Sequence, residues 1–219
     1  MTPERFQRLQ SVLRRRQPDL TVLMDNVHKP HNFAAIVRSC DAVGVFEAHA
    51  VWPKPRLRLG HNAAGGVARW VRIQNHARID TACDVLKQRG MQIVAAHFSA
   101  RSVDYRSLDY TRPTALLMGA ELDGVSEMGA ELADHHAVIP MLGMVASLNV
   151  SVATATLLFE AQRQREKAGL YADCRLEASL YVRTLFEWAH PRIASWCQRH
   201  GRDYPPLDEN GDPVGDFRR

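Results

Sequence analysis

The sequence predicts an α/β fold in which a mostly parallel sheet is covered by helices on both faces. Short apolar runs typical of buried strands, at residues 20–24, 91–97 and 114–118, alternate with segments whose apolar residues recur at helical spacing. Gly44 and Gly90 follow two of these helical segments, where glycine commonly ends a helix. The chain has 219 residues, of which 46% are hydrophobic, and this is enough to bury a full core.

The first part of the chain begins with a helical segment. Thr2 is placed to cap it, Pro3 suits its first turn, and apolar residues recur on one face until Pro18. A strand, a helix with Asn32 at its N-cap, and a second strand follow, at 20–24, 32–43 and 46–52. A loop rich in Pro and Gly comes next.

The rest of the chain continues the alternation. Six elements are predicted in the order helix, strand, strand, helix, strand and helix: 79–89, 91–97, 114–118, 126–133, 137–140 and the segment from Asn149 to about Ala168. A last helical region, about 174–199, is broken at Pro191 and precedes a tail rich in Pro, Gly and Asp. We therefore expect an N-terminal helical extension at 1–18, a core at 19–169, and a C-terminal helical extension with its tail at 170–219.

Positive charge is concentrated in two places. The net charge is +4, and the first twenty residues carry five arginines against two acidic residues: Arg5, Arg8, Arg14, Arg15 and Arg16. A second basic group comprises Arg163, Arg165 and Lys167. Clustered arginine favours phosphate contacts, and hence a nucleic-acid partner, although a solvated helix face gives the same pattern.

Several classes of protein are disfavoured. No apolar run approaches the roughly 18 residues of a membrane-spanning helix, and the first residues lack the apolar region of a signal peptide. The four cysteines are scattered without a CxxC pair, which argues against disulfides or zinc and fits a reducing cytoplasm: Cys40, Cys83, Cys174 and Cys197. The His28/His31 and His135/His136 pairs are interpreted as packed or solvated, with His31 a possible phosphate contact, and we expect no metal.

Ligands of open parallel sheets bind at the carboxyl ends of the strands, so the loops that follow strands carry the candidate site. The loop after the first strand reads DNVHKPHN and has no glycine, which disfavours an early GxGxxG phosphate loop. The helix that follows presents Arg38 beside the small Ala34 and Ala35. Its guanidinium is suited to a phosphate or a reacting hydroxyl, and a surface ion pair with Asp41 is the alternative.

Two later loops complete the candidate site. In LLMGAELDGVS, Glu121 can orient Asn32 or Arg38 or accept a hydrogen bond from a substrate, and an ordinary βα turn is the alternative. The stretch IPMLGMVASLNVSVATA is nearly apolar, and it includes Gly143, Ser147 and Asn149. Backbone amides between apolar walls suit a flat heterocycle better than a triphosphate, so this loop predicts an adenine-bearing cofactor.

These three segments, in this order and spacing, resemble the three motifs of the SPOUT methyltransferases, which use S-adenosylmethionine. The further segments RRQPDLTV, HAVWP, DYTRPT and FEAQRQR resemble the branch that methylates the 2′-oxygen of the D-loop guanosine at position 18 of tRNA. The resemblance covers residues 1 to about 171 and is looser beyond. It implies a C-terminal deep trefoil knot and a homodimer whose active site is completed across the interface.

The resemblance also implies roles for individual residues. Five match catalytic or site-shaping positions of the family: Arg38, Asn32, Glu121, Ser147 and Asn149. Five more would contact S-adenosylmethionine, largely through their main chain: Ala96, Gly119, Ile139, Met141 and Leu148. Contacts to tRNA are expected from the arginine-rich first segment and one histidine: Arg8, Arg14, Arg15, Arg16 and His31. No metal is required for this reaction.

Two other functions stay open at this point. One is a SPOUT 2′-O-methyltransferase for another RNA site, either the tRNA wobble ribose or ribosomal RNA. The other is a non-catalytic RNA-binding protein on the same scaffold, although the complete set of matched residues argues against it.

Overall fold

The computed structural model describes residues 1–52 and 69–215, which form two compact units. The larger unit is Gln17–Leu170, and the smaller combines Met1–Arg16 with Tyr171–Arg219. The two extensions predicted at opposite ends of the chain therefore belong to one unit. The Pro- and Gly-rich loop predicted after residue 52 lies outside the described residues.

The larger unit is built on one parallel sheet of seven strands in the order β3-β2-β1-β6-β4-β7-β5. The strands are β1 Leu20–Asp25, β2 Glu47–Val51, β3 Arg72–His76, β4 Gln92–Ala96, β5 Ser102–Asp104, β6 Thr114–Met118 and β7 His135–Val138. The predicted α/β class with a parallel sheet is confirmed. Because all strands run the same way, their carboxyl ends meet at one edge.

Helices cover both faces of this sheet. The α-helices of the described chain are α1 Pro3–Arg14, α2 Pro30–Ala42, α3 Ile79–Gln88, α4 Glu127–Leu132, α5 Val150–Lys167, α6 Ala178–Ala189 and α7 Pro191–Arg199. Side chains alternate across β1, so Val22 and Met24 pack with α2 and α5, while Leu23 packs with α3 and α4. The helix pairs α2–α5 and α3–α4 thus lie on opposite faces.

Two strands were not predicted, and one is shifted. β3 is a half-buried edge strand with the polar sequence RIQNH, and β5 has three residues, so neither carries an apolar alternation. β7 begins at His135 rather than at residue 137 and ends at Val138, shortly before Pro140, which has no N–H to donate to a ladder.

Asn32 is not the N-cap of α2, so that prediction is wrong. The helix begins at Pro30 with Lys29 as its N-cap, and Lys29 makes no side-chain capping bond. Proline at the first helical position needs no N–H partner and has a suitable φ, so the helix begins earlier than predicted. Asn32 lies in the first turn with 2% of its surface exposed, and its amide is free for a tertiary contact.

Arg165 is a structural residue rather than a phosphate contact. Its side chain is completely buried. It donates hydrogen bonds to the Tyr110 carbonyl (2.9 Å), the Asp19 carboxylate (2.7 Å) and the Arg112 carbonyl (2.9 Å). A buried guanidinium is tolerated only when its charge and its donors are satisfied in this way. The sequence prediction that grouped Arg165 with surface phosphate contacts is therefore wrong.

The smaller unit is helical. α1 packs against α6, which packs against α7. Thr2 caps α1 as predicted, since its hydroxyl accepts the Arg5 backbone N–H. Stacking of Phe186 on Tyr204, with ring centroids 4.7 Å apart, joins α6 to the tail.

All four cysteines are free; Cys174 is exposed and the other three are buried. Within residues 1–52 and 69–215, no helix has the length and apolarity needed to cross a membrane.

Candidate active site

Three polar side chains meet at the carboxyl edge of the sheet. The Asn32 amide donates a hydrogen bond of 2.5 Å to Glu121 Oε1, and the Asn149 amide donates one of 3.2 Å to Asn32 Oδ1. They come from the first turn of α2, the turn after β6 and the N-cap of α5. The structure therefore brings together three of the five residues predicted to be catalytic.

Asn149 has two tasks. Its Oδ1 caps α5 by accepting the Ser151 backbone N–H at 2.8 Å and the Ser151 hydroxyl at 2.6 Å. Its amide group remains available for Asn32 because the carbonyl oxygen is engaged by the helix. Capping therefore determines which end of the Asn149 side chain faces the cluster.

Glu121 has one oxygen engaged and one without a partner. Its Oε2 is buried and has no hydrogen-bond partner among the described residues. Burial acts to raise the pKa of Glu121, but the hydrogen bond from Asn32 and the nearby charges of Lys29 and His28 outweigh it, so the pKa is lowered. An ionised carboxylate with a buried acceptor to spare is suited to a donor from a bound ligand.

The turn that carries Glu121 is tightly held. A Cβ on Gly119 would lie 1.9 Å from the Gly124 carbonyl carbon and 2.0 Å from the Val125 nitrogen, so only glycine fits. The Ala120 and Gly124 backbones exchange hydrogen bonds of 2.9 and 3.0 Å. Glu121 thus projects from a closed, rigid turn.

The other two predicted catalytic residues stay at the surface. Arg38 and Ser147 are both exposed. Arg38 forms no ion pair with Asp41 in the described structure, so the surface pair considered as its alternative is absent. The half-buried Ala34 and Ala35 lie one turn before Arg38 on α2. A ligand can reach this guanidinium without displacing a protein partner.

The residues predicted to hold the cofactor lie at strand ends and in the last loop. Ala96 ends β4, Gly119 follows β6, and Ile139 follows β7, while Met141 and Leu148 are half-buried in the loop before α5. Two further side chains of that loop, Leu142 and Met144, are fully exposed. An apolar wall beside backbone amides and carbonyls fits an adenine ring.

The predicted RNA contacts divide into two groups. Arg8, Arg14, Arg15 and His31 are exposed, as a phosphate contact requires. Arg16 is completely buried, and its guanidinium lies 5.2 Å from the centre of the Trp188 ring. Arg16 therefore stabilises the smaller unit and is not on the surface that its predicted role requires.

An open cleft of about 350 Å³ lies on the α3–α4 face, beside the end of β1. Its polar lining includes Asp25, Asn26, Arg78 and Asp80, and it contains none of the three clustered side chains. Across residues 1–52 and 69–215, no group of three or more His, Cys, Asp or Glu side chains is arranged to hold a metal.

Sequence reasoning missed two residues at this edge. Asp25 ends the apolar strand LTVLMD and is 1% exposed, and Asn26 after it has a φ of 56°. Asp25 could have been identified from the sequence, because an acidic residue at the end of an otherwise apolar strand is unusual. The left-handed backbone conformation of Asn26 could not have been predicted, because asparagine adopts that conformation only in some turns.

A parallel α/β sheet with a polar cluster and an apolar loop at its carboxyl edge defines a class of enzymes that bind a nucleotide-like cofactor at that edge. Residues 19–159 match the SpoU rRNA Methylase family, and residues 163–214 match the family described as SpoU, rRNA methylase, C-terminal. The chain belongs to the SpoU methylase family, and it is an enzyme of that kind.

Individual relatives resemble the chain over most of its length. The tRNA (guanosine(18)-2'-O)-methyltransferase of Escherichia coli (strain K12) is 49% identical over 99% of this chain and 95% of its own. The crystal structure of the A. aeolicus TrmH/SpoU tRNA modifying enzyme has a TM-score of 0.81 at 44% identity, covering 87% of this chain and 97% of that one. The SpoU methyltransferase AviRb from Streptomyces viridochromogenes, in complex with AdoMet, has a TM-score of 0.62 at 27% identity, covering 69% and 62%.

Proposed function

We propose that the protein transfers a methyl group from S-adenosylmethionine to the ribose 2′-oxygen of guanosine 18 in tRNA. The observation that supports this most is the Asn32–Glu121–Asn149 cluster, in a chain 49% identical to a tRNA (guanosine(18)-2'-O)-methyltransferase over nearly its whole length. Amides and a carboxylate orient a hydroxyl and a cofactor by hydrogen bonds, which is what this reaction needs from its protein.

Arg38 has the central chemical role. S-adenosylmethionine, when bound, supplies a methyl group that is electrophilic because it is attached to a positively charged sulfur. The protein must place the 2′-hydroxyl in line with that methyl and manage its proton. An arginine side chain is protonated at physiological pH, so Arg38 stabilises the developing alkoxide while a substrate phosphate or water accepts the proton. The oxygen–methyl bond forms as the sulfur–methyl bond breaks.

The clustered side chains hold the reacting groups in place. Glu121 Oε2 is a buried acceptor with no protein donor among the described residues, and it accepts a hydrogen bond from a bound ligand. Asn32 and Asn149 keep that carboxylate in one orientation, because each donates to the next. Ser147, two residues before Asn149 and exposed, offers a hydroxyl to the same ligand.

The cofactor is held mainly by main-chain groups. Gly119, Ala96 and Ile139 lie at the ends of β6, β4 and β7, which are neighbours in that order in the sheet, so their backbones line one stretch of the sheet edge. Met141 and Leu148 supply apolar contact for the adenine. Ala96 has no side-chain donor, so its contribution comes from its backbone.

The tRNA is bound by exposed basic side chains. Arg8, Arg14 and Arg15 lie on or next to α1, and His31 lies in the first turn of α2. Each phosphate contact releases counterions, so tRNA affinity should fall steeply with salt. Replacing Arg14 by Ala should make the dependence of log K on log salt shallower by about one unit.

Two structural features belong to the same proposal. The chain works as a homodimer, which is supported by Val152 and Phe159, half-exposed apolar residues seven positions apart on one face of α5. The chain also forms a C-terminal deep trefoil knot. This is supported by residues 139–149, which connect β7 to α5: β7 is two strands away from β6 in the sheet, whereas α5 packs against β6 and α2. Analytical ultracentrifugation tests the homodimer, and a crystal structure tests the knot. The proposed compartment is the cytoplasm, because tRNA is available there.

The test of the function is methyl incorporation into unmodified tRNA transcripts, with the modified nucleotide located by mass spectrometry. We expect 2′-O-methylguanosine at position 18 and none in a transcript with adenosine there. Arg38→Lys should lower turnover at least 100-fold while calorimetric binding of S-adenosylmethionine persists, since an ammonium lacks the planar fork. Near-normal turnover of Arg38→Ala would refute the role of Arg38.

A second candidate is methylation of ribosomal RNA, which the description of the matched family favours. Offering equal amounts of the tRNA transcript, a wobble-ribose tRNA substrate and unmodified ribosomal RNA separates these targets. A protein that binds tRNA and never methylates any RNA would instead be the non-catalytic RNA-binding scaffold.

A further inference from the structure

Asp25 is a buried carboxylate at the end of β1 that lies outside the Asn32–Glu121–Asn149 cluster. Its Oδ2 accepts the Ser126 backbone N–H at 2.9 Å, and its Oδ1 accepts the Asn26 side-chain amide at 2.9 Å. Only 1% of Asp25 is exposed. A carboxylate this deeply buried requires such donors, because an unpartnered buried charge is strongly unfavourable.

The two donors to Asp25 lie at the bases of two site-forming loops. Ser126 ends the turn that carries Glu121, and Asn26 begins the loop that leads into α2 and Asn32. Asn26 has a φ of 56°, so the chain changes direction abruptly there. Asp25 therefore joins the two segments that supply both partners of the Asn32–Glu121 hydrogen bond.

Anchoring at Ser126 is transmitted to Glu121 because the intervening turn is stiff. The backbones of Ala120 and Gly124 bond to each other in both directions, and Gly119 is packed against the far side of the same turn. Ser126 also caps α4 through its hydroxyl, which accepts the Gly129 N–H at 3.2 Å. A Cβ on Gly129 would come within 3.3 Å of Asp25 Oδ2, so the first turn of α4 lies directly against this carboxylate.

We propose that Asp25 is a positioning residue for methyl transfer: its carboxylate joins the loop after β1 to the turn after β6 and so sets Glu121 against Asn32. This rests on the proposed function. The carboxylate acts through the hydrogen bond it accepts from Ser126 and not through its charge. It touches neither substrate nor cofactor.

Two variants in an Asn26→Gly background separate the bond from the charge. Glycine adopts the left-handed backbone of position 26 readily and removes the second donor to Asp25. In that background Asp25→Asn keeps one oxygen that can accept the Ser126 N–H, whereas Asp25→Ala keeps none. The readouts are kcat and the KM for tRNA in methyl transfer, the calorimetric Kd for S-adenosylmethionine, and urea unfolding.

We expect Asp25→Asn to stay within about threefold of the Asn26→Gly protein in kcat, and Asp25→Ala to lose at least tenfold. The KM and Kd should change by a smaller factor than kcat, because the transition state depends on the alignment of the cluster more than binding of the substrate and cofactor does. Asp134→Ala is the matched control. Asp134 Oδ2 accepts the Ile93 backbone N–H at 2.7 Å, an equivalent bond at the amino end of β4, and its loss should lower stability without lowering kcat.

Equal kcat for Asp25→Ala and the Asn26→Gly protein would overturn the proposal. So would a loss in Asp25→Asn as large as in Asp25→Ala, because it would assign the effect to the charge. If Asp25→Ala does not fold, Ser126→Pro removes the same hydrogen bond from the donor side, because Ser126 has a φ of −60° that proline adopts. Its kcat should then be at least tenfold below that of Ser126→Ala, which keeps the backbone N–H, and equal kcat of these two variants would overturn the proposal. Failure of the unmodified enzyme to methylate any RNA would refute the proposed function instead, so the two failures are distinguishable.

Discussion

Exchanging the amide and the carboxylate of the Asn32–Glu121 pair tests the geometry of the site directly. Asn32→Asp places a second carboxylate where an amide now donates a 2.5 Å hydrogen bond to Glu121. Two like charges about 4 Å apart repel by about 4 kcal/mol at an effective dielectric constant of about 20. The pair can reduce this cost by retaining one shared proton, so we expect the free energy of unfolding to fall by about 2–4 kcal/mol at pH 7.5.

The pH dependence should reverse in this variant. In the unmodified protein the pKa of Glu121 is lowered, so its contribution to stability is present above its ordinary pKa of about 4.5 and is lost as the pH falls through the folded value. In Asn32→Asp the apparent pKa of the carboxylate pair is raised. Its destabilisation is therefore greatest above that pKa and shrinks as the pH falls and the pair binds its proton.

Glu121→Gln in the Asn32→Asp protein restores one donor and one acceptor with their positions exchanged. Urea unfolding of the unmodified protein, the single variants Asn32→Asp and Glu121→Gln, and the double variant at pH 7.5 and 5.5 gives the coupling energy, which we expect to be at least about 2 kcal/mol at the higher pH. Methyl transfer should fall in Asn32→Asp and recover in part in the exchanged protein. The geometry is refuted if Asn32→Asp is as stable as the unmodified protein, or if the exchange recovers no stability.

Three further predictions concern the larger unit. Gly119→Ala puts a methyl group 1.9 Å from the following turn, so urea unfolding should show a loss of about 3 kcal/mol or more, and an unchanged midpoint would contradict the close approach. Arg165→Met leaves Asp19 without its buried partner and should cost about 3–5 kcal/mol by the same assay; a loss below about 1 kcal/mol would show that the pair is dispensable. The imidazole of His49, whose Nε2 lies 3.3 Å from Glu47 Oε1, is the main cause that lowers the pKa of Glu47 to about 2, and the 2.8 Å ion pair with Arg89 adds to it. That stabilisation is present above pH of about 4.5 and lost towards pH 2, so Glu47→Gln should cost about 2 kcal/mol at pH 7 and less at pH 3; an equal cost at both would refute it.

Most of the fold was predictable because its central strands are apolar on both faces. The bounds of β6 were predicted as observed, because its sequence TALLM is mostly apolar and fully buried. One face of the strand packs with α2 and α5, and the other packs with α3 and α4. The edge strands β3 and β5 were not predicted. One is polar and the other is short, so pairing with a neighbouring strand, and not an apolar pattern in their own sequence, makes them strands.

The candidate site was predictable in its residues but not in its contacts. Motif resemblance selected Asn32, Glu121 and Asn149, yet which of them touch depends on three loops meeting in space. The burial of Arg16 and Arg165 was not predictable, since a charge cluster in sequence does not show which side chains find buried partners. Asp25 was overlooked for a related reason: its donors at Ser126 and Asn26 become neighbours only after the sheet has formed.

The bonds of the Asn32–Glu121–Asn149 cluster span 89 and 117 residues of chain, which has a consequence for synthesis on the ribosome. Closing contacts between such distant segments costs chain entropy that only the assembled sheet offsets. A nascent chain in which Asn149 has not yet emerged from the ribosome has no complete cluster, even if its first strands have already folded. Competence to bind a methyl donor should therefore appear late in translation, and in one step.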